Sequence, residues 1–207
     1  MTDQQARELF EKQVPPLAVD YCYQLWANHT FRLTLRKSRV TKVGDFTCRQ
    51  GQTPHITLNH DLSPHLFLLT YVHEVAHLVV HQQYGHRAEA HGTEWKQTFQ
   101  QLLAPVLTEA IFPPALYRPL VRHMKNPMAS TFSDAAVTRE LRKLDDRGKV
   151  AVLLSDLPAG SVFGIRGRWF RKGELKRSRV LCLELKTKKR YLVPADAPVE
   201  SAQLSLL

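Results

Sequence analysis

The sequence predicts an α+β protein: helices with a small antiparallel sheet, followed by a small, basic, mostly β C-terminal region. Two periodicities and a charge asymmetry carry that prediction. Apolar residues recur at helical spacing over 3–13, 17–25 and 64–81, whereas 31–35, 43–48 and 55–59 read as short strands. Beyond residue 148, strand-like runs alternate with turn residues, and this part carries most of the basic block. The expected boundaries are 1–125 for a first domain, 126–147 for a linker and short helix, and 148–207 for a β-rich domain.

Each element has a local reason. Thr2 and Gln5 form a capping box ahead of Ala6, Leu9, Phe10 and Gln13, so a helix covers 3–13. Pro15-Pro16 ends it and can open the next, in which Leu17, Tyr21 and Leu25 repeat every four residues. Phe31-Arg32-Leu33-Thr34-Leu35 alternates apolar and polar as a half-buried strand does. With weaker strands at Val43–Cys48 and His55–Asn59, separated by Gly51 and Pro54, it predicts a small antiparallel sheet or meander. Pro64–His81 is apolar nearly all round, which marks a buried central helix, and Gly85 suits its C-cap. Thr93 can cap a further helix with Trp95, Phe99, Leu102 and Leu103 as its buried stripe. A stretch punctuated by Pro105, Pro113-Pro114 and Pro119, a linker near 126–131 and a short helix at 133–144 follow. Candidate strands then fall at 150–154, 161–166, 168–171, 179–185 and 191–194, with turns at 158–160, Gly167, Lys172-Gly173 and 187–189. Short strands at that spacing predict a barrel or curled sheet.

Composition excludes several classes. No stretch approaches the roughly 18–20 apolar residues that span a bilayer, and the polar N-terminus is no secretory signal. The expectation is a cytoplasmic location, with nucleoid association if the basic segment meets DNA. Cys22, Cys48 and Cys182 are scattered with no Cys-x-x-Cys, so we expect buried free thiols rather than a disulfide framework or a cysteine zinc ribbon. The net charge is +10, and residues 125–192 hold 17 Lys and Arg against 7 Asp and Glu, a local excess equal to the whole. Charge so localised points to an anionic partner, nucleic acid first.

The central helix carries His73-Glu74-Val75-Ala76-His77, an HExxH arrangement. Residues four apart share a helix face, so both imidazoles can reach one metal ion at about 2.0–2.1 Å. Glu74 projects beside that ion, where a carboxylate can take a proton from water. Three ionisable groups on an apolar helix need compensation, and metal binding supplies it. His81 lies about 12 Å along the axis from His73, too far to share the ion. His86, Glu89, His91 and Glu94 all remain candidates for a third ligand, and His86 for a fourth.

Together with His91-Gly92-Thr93-Glu94-Trp95, this segment resembles the SprT-like (SprT/Spartan) zinc metalloproteases. The resemblance covers roughly residues 5–125. That family places its third ligand in a His-Gly-x-x-aromatic element about fourteen residues after the second histidine, and His91 is 14 residues after His77. The resemblance therefore implies a zincin-like metalloprotease domain, one zinc ion held by His73, His77 and His91, and Glu74 as general base. Metzincin spacing fails, because Val80 and Gln83 stand where its glycine and third histidine belong. The resemblance also implies digestion of proteins attached or crosslinked to DNA. A C-terminal four-cysteine ribbon, expected for bacterial members, is missing from this sequence.

In its place stands the basic β region. Arg166, Arg168, Arg171, Lys172, Lys176, Arg177, Arg179, Lys188, Lys189 and Arg190 are candidate contacts to single-stranded or damaged DNA. Phe163, Trp169, Phe170 and Tyr191 are interleaved with them, as core residues or as surfaces for stacked bases. Two other functions fit the same residues: a nucleic-acid-binding protein with a structural or inactive zinc site, and a DNA-independent zinc peptidase acting on a soluble regulator.

Overall fold

The computed structural model describes residues 1–37, 39, 42–128, 134–144, 152–165, 167–195 and 197–201. It is a mixed α+β structure in two compact units, Met1–Leu144 and Asp145–Leu207. Among the described residues no helix is long and apolar enough to cross a membrane.

In the first unit, α1 (Asp3–Gln13) begins at the expected capping box: Thr2 Oγ1 accepts from the Gln5 amide and Gln5 Oε1 from the Thr2 amide. Pro16–Ala18 forms one 3-10 turn before α2 (Val19–Asn28). That turn advances the phase, so Ala18, Cys22 and Leu25 face inward while Leu17 is 67% exposed, contrary to the expected Leu17–Tyr21 stripe. Cys22 and Cys182 are buried free thiols, whereas Cys48 is half-buried.

The small sheet is not a meander. Strands β1 (Arg32–Arg36), β2 (Gly44–Thr47) and β3 (His55–Asn59) lie in the order β1-β3-β2, with β1 parallel and β2 antiparallel to β3. Strand β3 takes the centre because Ile56, Thr57, Leu58 and Asn59 are buried on both its faces. The β1–β2 connection is tied to its end. Arg39 donates from Nε to Asn59 Oδ1 (2.9 Å) and from Nη1 to Thr57 Oγ1 (3.0 Å), and Asn59 Nδ2 donates back to the Arg39 and Lys42 carbonyls.

Helix α3 (Pro64–Tyr84) runs through the middle of the unit, against α1, α2, β2, β3 and α4 (Thr93–Leu103). Pro64 opens it, where the missing N–H costs nothing, and Gly85 closes it at φ +61. Gly92, not Thr93, is the N-cap of α4, with no side-chain cap, and the inward stripe is Trp95, Phe99 and Leu103, with Leu102 at its half-buried margin. The proline-punctuated stretch contains a further helix, α5 (Pro114–His123). Pro114 suits its first turn, and Leu116, Leu120 and His123 bury one face despite Pro119 inside. Helix α6 (Ala135–Lys143) packs on α5 and is capped by Asp134, which accepts from the Ala136 and Val137 amides. The expected start at Ser133 falls outside the described residues.

The second unit is an antiparallel sheet in the order β4-β9-β5-β6-β7-β8. Its strands are β4 (Val152–Leu153), β5 (Val162–Ile165), β6 (Arg168–Lys176), β7 (Arg179–Glu184), β8 (Arg190–Pro194) and β9 (Pro198–Ser201). Strand β9 was not expected, and Lys172-Gly173 is no turn. Strand β6 runs through it with a register shift between Lys172 and Leu175. Glycine is needed there for close approach, since a Cβ on Gly173 would strike the Leu181 carbonyl. Phe163, Phe170, Val180, Cys182 and Val199 form the core on one face, with Leu154 and Leu157.

Candidate metal centre

One face of α3 carries His73 and His77, a turn apart. His91 reaches them from the loop before α4, folded back by a turn in which the Gly92 amide donates to the Glu89 carbonyl (3.0 Å). A Cβ at Gly92 would already lie 3.0 Å from Glu89 Cβ, so the turn favours glycine. The three Nε2 atoms stand 3.1 Å (His77–His73), 3.1 Å (His77–His91) and 3.4 Å (His91–His73) apart.

Those distances fit a metal ion better than hydrogen bonds. A ring nitrogen either donates or accepts, and in a triangle at least one pair must then be donor against donor or acceptor against acceptor. A cation at the centre resolves the conflict, because all three nitrogens become lone-pair donors to it. Nitrogens about 2.0–2.1 Å from a tetrahedral ion lie about 3.3–3.4 Å from one another, close to the spacing here. The three histidines are thus positioned to hold one metal ion. Burial, then the neighbouring imidazoles, lowers His73 to about 3 and His77 to about 4, and burial lowers His91 as well. Neutral imidazole is the ligating form.

One indole supports the whole set. The Trp95 ring centroid lies 4.6 Å from that of His73, 5.3 Å from His77 and 4.7 Å from His91. On the other side, Phe46 of β2 stacks on His77 at 6.4 Å and tilts against His81 at 5.8 Å. His81 and His86 pack edge to face with each other, 5.1 Å between centroids. Among the described residues neither they nor Glu89 or Glu94 join the triad.

Glu74, 7% exposed, sits between α3 and β2. A Cβ on Gly44 would come within 2.5 Å of Glu74 Oε1 and of Thr70 Cγ2, so only a bare backbone fits over this carboxylate. Burial raises Glu74 to about 8, and the Asp45 carboxylate adds to the shift. Arg39, Lys42 and the Phe46 amide partly offset it. Sequence reasoning missed Gly44, Asp45 and Phe46 as neighbours of the site, and the glycine was their one signal.

The basic candidates divide. Arg168 lies on the core side of the sheet, donating to Glu184 Oε1 (2.7 Å) and covering the Phe170 and Tyr191 rings. Lys172 donates to the Ser155 and Leu157 carbonyls. Both thus make hydrogen bonds within their own unit, with the Arg168 side chain 47% exposed. Arg171 and Arg190 lie exposed on the opposite face, Lys176, Arg177 and Arg179 at the β6–β7 hairpin, and Lys188 and Lys189 in the β7–β8 turn. Arg166 falls outside the described residues.

No curated protein and no solved structure gives a significant match to this chain. The model of the SprT-like family matches residues 7–111, just over half of the chain. That span includes β1–β3, α3, the three histidines, Glu74 and Trp95, and on it the chain belongs to the SprT-like family.

Proposed function

We propose that the chain is a zinc-dependent metallopeptidase that cleaves proteins, with His73, His77 and His91 as zinc ligands and Glu74 as general base. The observation that carries this reading is the convergence of three imidazole nitrogens beside a buried carboxylate one residue from the first ligand. Among the described residues no fourth His, Cys, Asp or Glu joins the triad, which favours a catalytic ion over a structural one. Zinc bound there would supply Lewis acidity and lower the pKa of its water towards about 7.

The remaining steps belong to the chain's own groups. Glu74 takes the proton of the attacking water and passes it to the departing amine. Strand β2 is a sheet edge beside Glu74, so an extended substrate can add to it through backbone hydrogen bonds, which read side chains weakly. A ligand helix packed beside such a sheet supports a zincin-like architecture for this unit.

The basic β unit supports a second element of the proposal: DNA as partner, and DNA-attached or crosslinked proteins as substrates. The test is cleavage of casein, and of the chain itself, by zinc-loaded protein with and without single-stranded DNA, with Glu74→Gln as control. Cleavage that rises with DNA and vanishes in Glu74→Gln is the expected result. Glu74-dependent cleavage indifferent to DNA and salt would favour a peptidase acting on a soluble regulator. No cleavage, with tight DNA binding, would leave a binding protein with a structural metal.

A further inference from the structure

Strand phase divides the second unit into two unlike faces. Phe163, Phe170, Val180, Cys182 and Tyr191 point into its core. The alternate positions on β6, β7 and β8 hold Trp169, Arg171, Leu181, Leu183, Arg190 and Leu192. No carboxylate stands among these six; Glu174 lies exposed further along β6, and Glu200 of β9 pairs with Gly164 in the row of Trp169. Trp169 is 40% exposed and Leu192 51%, a large apolar surface for the outside of a small sheet. Arg171, Leu183 and Arg190 form one cross-strand row, so two guanidinium groups flank an aliphatic side chain. Trp169 is two residues from Arg171 on the same face, and its partner on β5 is Gly164, which has no side chain to cover the indole.

Charge continues beyond both ends of that face. Arg179, Lys176 and Arg177 stand at the β6–β7 hairpin, and Lys188 and Lys189 in the β7–β8 turn at the opposite end. The six residues of β7 span about 20 Å between them, room for a few extended nucleotides.

We propose that this outward face binds a single nucleic-acid strand, with a base stacked on Trp169 and phosphates held by Arg171 and Arg190. Cations outnumber carboxylates on this face and at its two ends, which favours an anionic occupant. The exposed indole beside Arg171 favours one with exposed flat bases over a duplex, whose bases are stacked internally. The proposal deepens the reading of DNA as partner and does not depend on whether the metal centre cleaves.

The experiment therefore uses full-length protein carrying Glu74→Gln throughout. Binding of labelled oligo(dT) is read by anisotropy across a salt series, with a duplex and heparin as competitors. Trp169→Ala is expected to weaken binding about tenfold without changing the salt slope, because it removes stacking and no phosphate contact. Arg171→Gln and Arg190→Gln are each expected to lower the magnitude of that slope by about 1. Trp169→Phe should retain most of the affinity. Oligo(dT) should also quench tryptophan emission in the parent protein more than in Trp169→Phe, a readout that stands even if the alanine variant folds poorly. Equal quenching in the two, or affinity unchanged by Trp169→Ala, overturns the proposal. So does equal competition by heparin and duplex, which would mark a charge-only surface.

Discussion

Gly44→Ala tests whether β2 sets the position of Glu74, the proposed general base. The added Cβ would sit 2.5 Å from both Glu74 Oε1 and Thr70 Cγ2, against an optimal non-bonded separation of about 3.5 Å. Either β2 retreats or the carboxylate swings, by about 1 Å in total. A misplacement of about 1 Å can cost about 100-fold in rate, or about 2.7 kcal/mol of transition-state stabilisation. Overpacking of this kind also costs about 1–3 kcal/mol of stability. The assay is kcat/KM on a quenched-fluorescent peptide, with zinc content and Tm measured on the same preparation. The expected outcome is a loss of about 100-fold with zinc still bound one to one, since none of the three proposed ligands is touched. Gly44→Ala with Thr70→Ser removes one of the two clashing atoms and should recover part of the loss. Wild-type kcat/KM in Gly44→Ala would refute the reasoning, because it would mean that β2 and Glu74 are not held at the distance described.

Glu74→Gln should lower kcat/KM by about 10²–10⁴ while retaining zinc, whereas His91→Ala should lose zinc; elemental analysis beside the rate separates the two. For metal-free protein, Tm should peak near pH 6.5. Below that value the unfolded chain protonates His73 and His77 while the folded chain resists until about 3 and about 4, so acid destabilises, two protons taken up by the unfolded chain against the one that folded Glu74 already holds. Above it, folded Glu74 holds a proton up to about 8 that the unfolded chain has released, so stability falls as pH rises; Glu74→Gln should remove the alkaline fall. Arg168→Gln should lower the Tm of the C-terminal unit and leave the salt slope of oligonucleotide binding alone, since this guanidinium serves Glu184, which is 4% exposed. The Arg168 hydrogen bond, with one from Thr187, holds Glu184 down at about 2, so that stabilisation is present above pH 4.5 and lost as pH falls through about 2.

How much was legible in the sequence depended on the range of the interaction. The helix pair His73 and His77 follows from a spacing of four, whereas His91 was singled out from His86, Glu89 and Glu94 only by the family resemblance that its Gly92 and Trp95 carry. The neighbours of Glu74 on β2 could not, because strand pairing is set by which segment buries both faces, and Ile56–Asn59 won the centre only through tertiary packing. Local phase misled twice: a 3-10 turn rotated α2, and Pro119 hid a helix whose packing tolerates it. The inward turn of Arg168 was readable, since it stands two residues from Phe170 on one strand. The register shift past Lys172 was not.

Trp95 lies within about 5 Å of every imidazole in the triad, so the chain carries an intrinsic optical gauge of its candidate metal centre. Cobalt entering the site would quench that indole strongly and zinc far less, so occupancy, exchange and loss could be followed in real time without a label. The same geometry makes residue 95 a common mount for the three histidines, and altering it would retune them together rather than one at a time.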